Sequence, residues 1–216
     1  RITVLKNNTI TPRLAVIVVG KNPASVIYVR SKEKQFRRLN LQTKTFWFNQ
    51  DSTELELLQL LDDLNKNEKY HGILVQLPLP ENINTQSILC SIDPWKDVDG
   101  FHPENVGLLA TGYPRFIPCT PKGIIRILEY ANISLNGKHI VVIGRSNIVG
   151  RPISILTSLK MENRNGTTTL CHSGTLDMRH YTMHADIIIA AIGKPNFITG
   201  DMLKPGAIVI DVGINR

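Results

Sequence analysis

A tyrosine and a lysine one helical turn apart are the first candidates for chemistry in this sequence. Tyr28 and Lys32 occupy positions i and i+4 of an amphipathic segment, so an aromatic ring and an ammonium group share one helix face. Gln76 follows a buried apolar run, and Asp99 lies in the segment Lys-Asp-Val-Asp-Gly at 96–100. Together they could line one cleft as a stacking surface, a tunable amine, an amide that orients the amine, and a carboxylate acceptor.

Each of these residues also has an interpretation without function. Tyr28 and Lys32 could form a surface pair. Gln76 could be a satisfied polar group of the core, and Asp99 could belong to a solvated turn. We favour the functional interpretation because Gln76 lies where a buried strand ends, and the turn at 20–24 brings the start of the helix to another strand end. Ligands of parallel sheets bind beyond these carboxyl ends.

The second candidate is the stretch at 138–152, Lys-His-Ile-Val-Val-Ile-Gly-Arg-Ser-Asn-Ile-Val-Gly-Arg-Pro. It predicts a buried strand that ends at Gly144 and a helix that starts near Gly150. Arg145 and Ser146 lie in the turn between them. Free backbone N–H groups and the helix dipole at such a junction favour a phosphate. The turn departs from the dinucleotide fingerprint G-x-G-x-x-G, and the cation Arg145 suits a ligand with more phosphate than NAD carries.

The end of the next predicted strand favours NADP over NAD. NAD-binding folds place an Asp or Glu there for the ribose 2′-OH, but the strand at 167–173 ends at Ser173, and Asp177 lies four residues further on. The Ser173 hydroxyl and the Arg145 guanidinium could instead bind a 2′-phosphate. A plain surface arginine is the alternative for Arg145. For His172 we expect a structural or peripheral role rather than that of a catalytic base.

Alternating strands and helices position both groups of candidates. The predicted strands are 13–20, 43–49, 71–77, 138–144, 167–172, 186–192 and 207–212, and the predicted helices are 24–40, 52–65, 84–92, 121–131 and 150–160. We expect Ser52 or Asp51 as the N-cap of the second helix. The order predicts an α/β fold with parallel sheets. Because an irregular stretch at 93–118 separates two such series, we predict two domains, 1–118 and 119–216, with a cleft between them.

Composition limits the classes of protein to consider. Hydrophobic content of 42% and charged content of 20% are typical of a globular protein. No apolar run approaches the roughly 20 residues of a membrane span, and the start lacks a secretory signal, so we expect a cytoplasmic protein. Cys90, Cys119 and Cys171 lack metal-ligand spacing, which favours reduced cysteines over a disulfide or zinc site.

The net charge of +7 raises the question of a nucleic-acid partner. The basic residues are scattered apart from a helical cluster at 30–38, and no nucleic-acid-binding motif accompanies that cluster. A polyanionic small substrate or cofactor explains the charge about as well. We therefore expect neither a nucleic-acid partner nor a membrane partner.

Several segments resemble, in family order, the bifunctional methylenetetrahydrofolate dehydrogenase/cyclohydrolases. They include His-Gly-Ile-Leu-Val-Gln-Leu-Pro-Leu-Pro at 71–80 and Asp-Pro-Trp-Lys-Asp-Val-Asp-Gly-Phe-His at 93–102. The other matching segments are 19–25, 28–34, 118–123, 144–152, 171–173 and 204–216. Because they cover nearly the whole chain, we regard the resemblance as specific.

The resemblance implies a folate-binding α/β catalytic domain followed by a Rossmann-type NADP-binding domain. The enzyme would oxidise 5,10-methylenetetrahydrofolate to 5,10-methenyltetrahydrofolate with NADP and hydrolyse the product to 10-formyltetrahydrofolate, in one-carbon metabolism and purine biosynthesis. Tyr28 would stack on the folate, and Lys32 would be the catalytic lysine. Gln76 would hold Lys32 in position, and Asp99 would pair with the pterin ring. The substrate-binding residues would be Tyr28, Lys32, Val75, Gln76, Leu77 and Asp99.

For the cofactor, the resemblance adds Ile214 to the residues already described in the turn and at the end of the next strand. The cofactor-binding residues would be Gly144, Arg145, Ser146, Gly150, Ser173 and Ile214. We expect no metal, a tetrahydrofolate substrate that can be polyglutamylated, and a homodimer formed through the cofactor domain. The family usually has a helix before the first strand, and a Pro-Gly-Gly-Val-Gly-Pro-Met-Thr loop and a closing helix after the point that corresponds to Arg216. We expect this sequence to lack those parts.

Two other functions stay open from the sequence. One is an NADP-dependent dehydrogenase of the shikimate type, which also has a Lys/Asp site but not the Tyr28/Lys32 spacing. The other is a catalytically silent folate- or nucleotide-binding module. The connection at 160–167 is longer than is usual in the family, and we expect it to be an exposed loop.

Overall fold

The computed structural model describes residues 10–213 and contains two α/β units, each built on a parallel sheet. Residues Arg1–Glu104 form the first unit and Asn105–Arg216 form the second. The predicted α/β fold with two parallel sheets is therefore confirmed. Residues 105–118, which the sequence prediction assigned to the first domain, are grouped here with the second unit.

The first unit contains a three-stranded sheet in the order β2-β1-β3. Its elements are β1 (Arg13–Val19), α1 (Pro23–Arg38), β2 (Gln42–Phe48), α2 (Glu54–Lys66), β3 (Gly72–Val75) and α3 (Thr85–Cys90). The central strand β1 is apolar on both faces because both faces are covered. One face packs with Leu57 and Leu61 of α2, and the other packs with Val29 of α1. Burial on both sides explains why the apolar run does not alternate.

The start of α1 is determined by the residues just before it. The Asn22 side chain accepts hydrogen bonds from the backbone N–H groups of Ala24 and Ser25, at 3.0 and 3.2 Å, and Pro23 occupies the first helical position. These features stabilise a helix N-terminus. Only three residues separate the end of β1 from the start of this helix, which places its first turns at the carboxyl edge of the sheet.

The second unit contains a four-stranded parallel sheet in the order β5-β4-β6-β7. Its strands are β4 (His139–Ile143), β5 (Thr167–Cys171), β6 (Ile187–Ala190) and β7 (Ile208–Asp211). Its helices include α5 (Cys119–Tyr130), α6 (Gly150–Ser158), α7 (Met178–Thr182) and the 3₁₀ turn Gly200–Met202. The chain passes from β4 to β5 on one side and returns across β4 to β6. The carboxyl end of β4 is thus a topological switch point, where ligands of such sheets bind.

Three local predictions were wrong. The stretch predicted to be irregular contains a helix, α4 (Pro103–Ala110), whose apolar pattern is only two turns long. Helix α7 was not predicted; it is five residues long, and Asp177 caps it. The N-cap of α2 is Thr53, because Thr53 and Glu56 cap each other reciprocally, with Thr53 N–H donating to Glu56 Oε2 at 2.7 Å.

The loop before β5 agrees with its prediction, since most residues between 160 and 167 are exposed. Within residues 10–213, no helix combines the length and the apolar composition needed to cross a membrane.

Candidate active site

The side chains of Lys32 and Gln76 are in contact in the first unit. Lys32 Nζ donates a hydrogen bond to Gln76 Oε1 at 3.2 Å, and Gln76 Nε2 donates to the Leu77 carbonyl oxygen at 2.9 Å. The backbone N–H of Gln76 donates to the Ile17 carbonyl oxygen at 2.9 Å, which extends the pairing of β1 and β3 by one residue. The amide is therefore held at both ends, and its oxygen is directed at the lysine.

Asp99 reaches the same edge of the sheet through an extended segment beside β3. The N–H of Ile73 donates to the Lys96 carbonyl oxygen at 2.7 Å, and Ile73 forms a parallel bridge with Asp97. Because this segment runs parallel to β3, the residues that follow it emerge where Gln76 emerges. Residues that are 23 positions apart in the sequence are thus brought to one edge.

Gly72 allows this extra segment to lie close to β3. A Cβ atom at position 72 would come within 2.5 Å of Val98 Cγ1 and 3.3 Å of Leu14 Cδ1. Only a residue without a side chain leaves that space. Gly72 therefore contributes to the position of Asp99 without touching it.

The turn that carries Asp99 is organised by a second carboxylate. Asp97 is 1% exposed, and it accepts hydrogen bonds from the N–H of Gly100 at 3.1 Å and of His102 at 2.8 Å. Fixing the backbone that follows Asp99 restricts where its carboxyl group can point.

The electrostatic environment of Asp99 differs from that of a surface carboxylate. Burial raises the pKa of Asp99 to about 6, the positive charge of Lys32 opposes that rise, and the charge of Asp97 adds to it. A carboxyl group with this pKa changes its charge close to neutral pH. Groups shifted in this way are frequent at functional sites.

Three of the four predicted catalytic residues are therefore close to one another, and the fourth lies on the same helix as Lys32. Tyr28 is 40% exposed, one turn before Lys32, so its ring is accessible to a planar ligand. Val75 is only 2% exposed and belongs to the core, whereas Leu77 is half-buried. Val75 therefore offers little surface to a ligand, whereas Leu77 offers more.

In the second unit, Gly144 follows β4 and has a φ of +109°, a conformation that L side chains rarely adopt. A Cβ atom there would collide with the carbonyl oxygen of Ala191, which follows β6. The Gly144 N–H donates to the Cys171 carbonyl oxygen at 2.8 Å. Gly144 thus lies at the switch point, and because it has no side chain, the backbone there can come close to a bound ligand.

The start of α6 is capped by its own turn. The Ser146 hydroxyl accepts hydrogen bonds from the N–H groups of Val149 and Gly150, at 3.2 and 3.3 Å, and the Ser146 carbonyl oxygen accepts one from Arg151. The prediction of free N–H groups at the helix start was therefore wrong for these residues, because a serine in the turn competes for them.

Donor groups nevertheless gather where β4 and β5 end. The exposed Arg145 has its Nη1 3.5 Å from Nε2 of His172, and Ser173 is exposed next to His172. The predicted absence of an acid also has a structural basis, since the Asp177 carboxylate accepts a hydrogen bond from the His180 N–H at 3.0 Å as the cap of α7. This set of groups fits a phosphate group beside a ribose.

Sequence reasoning gave His172 a structural or peripheral role, and that expectation stays a prediction. The residue lies between the buried Cys171 and the exposed Ser173 at a strand end, with its Nε2 3.5 Å from Arg145 Nη1. Ile214 lies outside the described residues. Among residues 10–213, no group of three or more His, Cys, Asp or Glu side chains could hold a metal ion.

The fold and these two groups of residues define an α/β protein with a polar site on its first sheet and a nucleotide-type turn on its second. The chain belongs to the tetrahydrofolate dehydrogenase/cyclohydrolase family. The catalytic-domain model of that family matches residues 1–99, and the NAD(P)-binding-domain model matches residues 118–216.

Individual relatives agree with the family models. The bifunctional protein FolD of Bacillus licheniformis is 50% identical over 212 residues, which are 98% of this chain and 73% of that protein. The crystal structure of the bifunctional enzyme FolD from Campylobacter jejuni has a TM-score of 0.93 and 47% identity, covering 99% of this chain and 75% of that one. The FolD structure from Trypanosoma brucei, complexed with NADP cofactor and inhibitor, has a TM-score of 0.91 and 33% identity, covering 99% and 72%.

Shikimate dehydrogenases are similar at the level of the fold alone. The shikimate 5-dehydrogenase from Thermus thermophilus has a TM-score of 0.57 and 14% identity to this chain. The shikimate alternative therefore has much weaker support than the folate one.

Proposed function

We propose that this protein oxidises 5,10-methylenetetrahydrofolate to 5,10-methenyltetrahydrofolate with NADP and hydrolyses the methenyl group to give 10-formyltetrahydrofolate. One observation carries the proposal: Lys32 is hydrogen-bonded to Gln76 beside the half-buried carboxyl of Asp99, in a chain whose two halves are both matched by the family models. The cofactor is NADP, in keeping with the donor groups of Arg145, His172 and Ser173 and with the NADP bound in the related Trypanosoma structure.

For the hydrolysis step, Lys32 is the group that handles protons. Gln76 occupies one of the three donor positions of the ammonium group and fixes the direction of Nζ. In this position Lys32 helps to activate the water that attacks the cationic methenyl carbon, as a general acid–base group would. Gln76 acts through Lys32 and is a positioning residue.

For the oxidation step, the residues of this chain mainly bind and orient the substrate. When bound, NADP supplies the group that accepts the hydride. Tyr28 offers its exposed ring to the folate, and the Asp99 carboxylate accepts hydrogen bonds from adjacent donors of the pterin ring. Val75 and Leu77 flank Gln76 and complete the substrate-binding edge. Holding the donor carbon in place accounts for most of the catalysis in such a step.

The cofactor residues of the proposal are those of the turn and the strand ends. They are Gly144, Arg145, Ser146, Gly150, Ser173 and Ile214. In this proposal the Ser146 hydroxyl orders the turn, since it already accepts two hydrogen bonds from the start of α6.

Further properties belong to the same proposal. We place the protein in the cytoplasm, where Cys90, Cys119 and Cys171, none of which is part of a disulfide here, would stay reduced. The proposal includes a domain boundary near residue 118, a homodimer formed through the second unit, and a role in purine biosynthesis with polyglutamylated folates as substrates. It includes no nucleic-acid or membrane partner.

A spectrophotometric assay tests the main activity. Formation of NADPH with 5,10-methylenetetrahydrofolate but not with shikimate supports the proposal, and loss of the methenyl absorbance reports the hydrolysis. Tight cofactor binding without turnover would indicate a silent binding module. Salt-dependent retardation of DNA or RNA in a gel would instead indicate a nucleic-acid binder.

A further inference from the structure

A cavity of about 360 Å³ lies at the carboxyl ends of the three strands of the first sheet. It is lined by residues 19–22 at the end of β1, by Gln50 after β2 and by residues 78–80 after β3. Gln76 also follows β3, so the cavity lies on the edge of the sheet that carries the proposed folate site. None of the roles proposed above uses the residues that line it.

Gly20 determines the shape of the chain at this cavity. It has a φ of +74°, and its N–H donates to the Phe48 carbonyl oxygen at 2.9 Å, which extends the pairing of β1 with β2. A Cβ atom at position 20 would lie 3.7 Å from Cβ of Gln50, so the Gln50 side chain packs beside this glycine. The turn after β1 thereby brings Lys21 and Gln50 to the wall of one cavity.

The charge of the lining residues favours an anionic ligand. Lys21 is exposed, and none of the ion pairs found within residues 10–213 involves it. No Asp or Glu is among the described residues that line the cavity. Asn22 Oδ1 already accepts hydrogen bonds from two backbone N–H groups, so the amide has its NH₂ group left for a ligand. A carboxylate would find a cation and amide donors here.

The order of the strand ends indicates where the far end of a bound folate lies. Starting from Asp99, the order across the sheet is the segment at 96–97, then β3, β1 and β2. Neighbouring strands are about 4.8 Å apart, so the first and the last of these four are separated by about 14 Å. A folate joins a pterin, a benzoyl ring and a glutamate in line, and with its pterin at Asp99 it extends towards the ends of β1 and β2. Tyr28 indicates the same direction, because it lies between Lys32 and the start of α1.

We propose that this cavity binds the glutamate end of the folate substrate and that the Lys21 ammonium group pairs with one of its carboxylates. Lys21 then favours polyglutamylated folates, since each added glutamate brings another carboxylate near the same cation. The inference rests on the proposed function, because it takes the positions of the pterin at Asp99 and of the benzoyl ring at Tyr28 from there. An exposed ion pair is weak, and this one is distant from the reacting carbon, so it affects the affinity for the substrate and not the rate of the chemical step.

Substrates that differ only at the glutamate end test this inference. They are 5,10-methylenetetrahydropteroate, which has no glutamate, and the monoglutamate and pentaglutamate of 5,10-methylenetetrahydrofolate. We compare kcat and KM for the wild type, Lys21→Met and Gln50→Glu, with thermal unfolding as the check that each variant is folded. Lys69→Met is the matched control, because Lys69 is an exposed lysine between α2 and β3, at the opposite edge of the sheet. Calorimetric titration with the corresponding tetrahydro compounds gives the affinities without turnover.

We expect Lys21→Met to raise KM by about threefold for the monoglutamate and by about fivefold for the pentaglutamate, with kcat and the pteroate unaffected. Gln50→Glu adds a negative charge and should raise KM for the pentaglutamate by about tenfold. High salt should remove the difference between Lys21→Met and the wild type. An unchanged KM for the pentaglutamate in Lys21→Met, an equal change for the pteroate, or an equal effect of Lys69→Met would each overturn the inference.

The same measurements separate this inference from the proposed function. If the wild-type protein neither binds nor turns over any of the three compounds, the proposed function fails and the role of the cavity fails with it. If the wild-type protein acts on all three but its affinity is the same with and without the glutamate chain, only the inference about Lys21 and the cavity is wrong.

Discussion

The two candidate sites are assembled in opposite ways. The site of the first unit joins Lys32 from α1, Gln76 from the end of β3 and Asp99 from the segment beside β3, and its groups are half-buried. The turn of the second unit is made mostly from seven consecutive residues, 144–150, and Arg145 and Ser146 are exposed. Chemistry on a folate needs groups that are held apart from water and oriented by distant segments. A phosphate needs only donors at the edge of a sheet, which a local turn can supply.

The largest expected effect comes from removing the amine of the first site. In Lys32→Met we expect the hydrolysis rate to fall by about 10³-fold, because a positioned acid–base group contributes on this scale. NADP affinity should stay near normal, since the turn of the second unit is unchanged. Single-turnover hydrolysis of methenyltetrahydrofolate measures the loss. Lys34→Met is the matched control, an exposed lysine on the same helix. Normal hydrolysis in the Lys32 variant would remove Lys32 from the mechanism.

The backbone of the turn should be the next most sensitive feature. Gly144→Ala forces a side chain into a φ of +109° and against the Ala191 carbonyl, so we expect a loss of about 3 kcal/mol in the free energy of unfolding and weaker NADP binding. Urea unfolding measures this. As a control, Gly123→Ala in α5 meets no atom within 4 Å and should be neutral or stabilising by up to about 1 kcal/mol. Equal effects of the two substitutions would show that the turn does not require glycine.

Removing the positive charge of Arg145 from the turn should weaken the binding of NADP much more than that of NAD. We expect Arg145→Ala to weaken NADP binding by about 30-fold and NAD binding by less than about threefold, because only NADP carries the 2′-phosphate. Titration of both cofactors gives the ratio. Arg164→Ala, which removes a partly exposed arginine in the loop before β5, should change neither affinity. Equal losses for NADP and NAD in the Arg145 variant would contradict the 2′-phosphate assignment.

Removing the group that orients Lys32 should reduce the hydrolysis rate less than removing the lysine itself. Gln76→Met keeps the volume but removes the acceptor of the 3.2 Å hydrogen bond. We expect kcat for hydrolysis to fall by about tenfold with little change in KM, since the amine is retained but is no longer directed. The exposed Gln86→Met serves as the control. If KM rises and kcat is unchanged, Gln76 binds the substrate and does not position Lys32.

The smallest effect is on stability and depends on pH. Because the pKa of Asp99 is raised in the folded state, from 3.8 to about 6, its stabilising contribution is complete below about pH 4 and is lost as pH rises through about 6. Between pH 4 and pH 7, the free energy of unfolding of Asp99→Asn should therefore rise by about 1 to 2 kcal/mol relative to that of the wild type. Urea unfolding across this range measures the difference, with the exposed Asp63→Asn as the control. Parallel stability curves for Asp99→Asn and the wild type would show that Asp99 is not desolvated.

Much of the fold was predicted from the hydrophobic pattern of the sequence, and the wrong predictions concerned short segments. Apolar runs at β1, β3, β4 and β6 were predicted because strands covered on both faces lose their alternation. The two missed helices, α4 and α7, are eight and five residues long, too short to show a helical period. The cap of α2 was misplaced by one residue because Asp51, Ser52 and Thr53 are all good N-caps. Only the reciprocal contact of Thr53 with Glu56 distinguishes them.

The same difference between local patterns and tertiary contacts applies to the residues of the candidate sites. Tyr28 and Lys32 share a helix face, and Gly144, Arg145 and Ser146 share a turn, so spacing alone was enough to group each set. The contact of Lys32 with Gln76 joins positions 44 residues apart, and it could be expected only from the family resemblance and the rule of strand ends. The pairing of Arg145 with His172 was not foreseen, because the register of β4 against β5 determines it.

The sequence by itself determined the order of strands and helices, the glycine turn after β4 and the family, because these depend on periods and motifs within short stretches of chain. Only the tertiary structure decided that the segment of Asp97 lies beside β3, that burial raises the pKa of Asp99, and that Arg145 comes close to His172. The physical reason is that desolvation and hydrogen-bond geometry depend on segments distant in sequence, whose approach is set by the packing of the whole sheet.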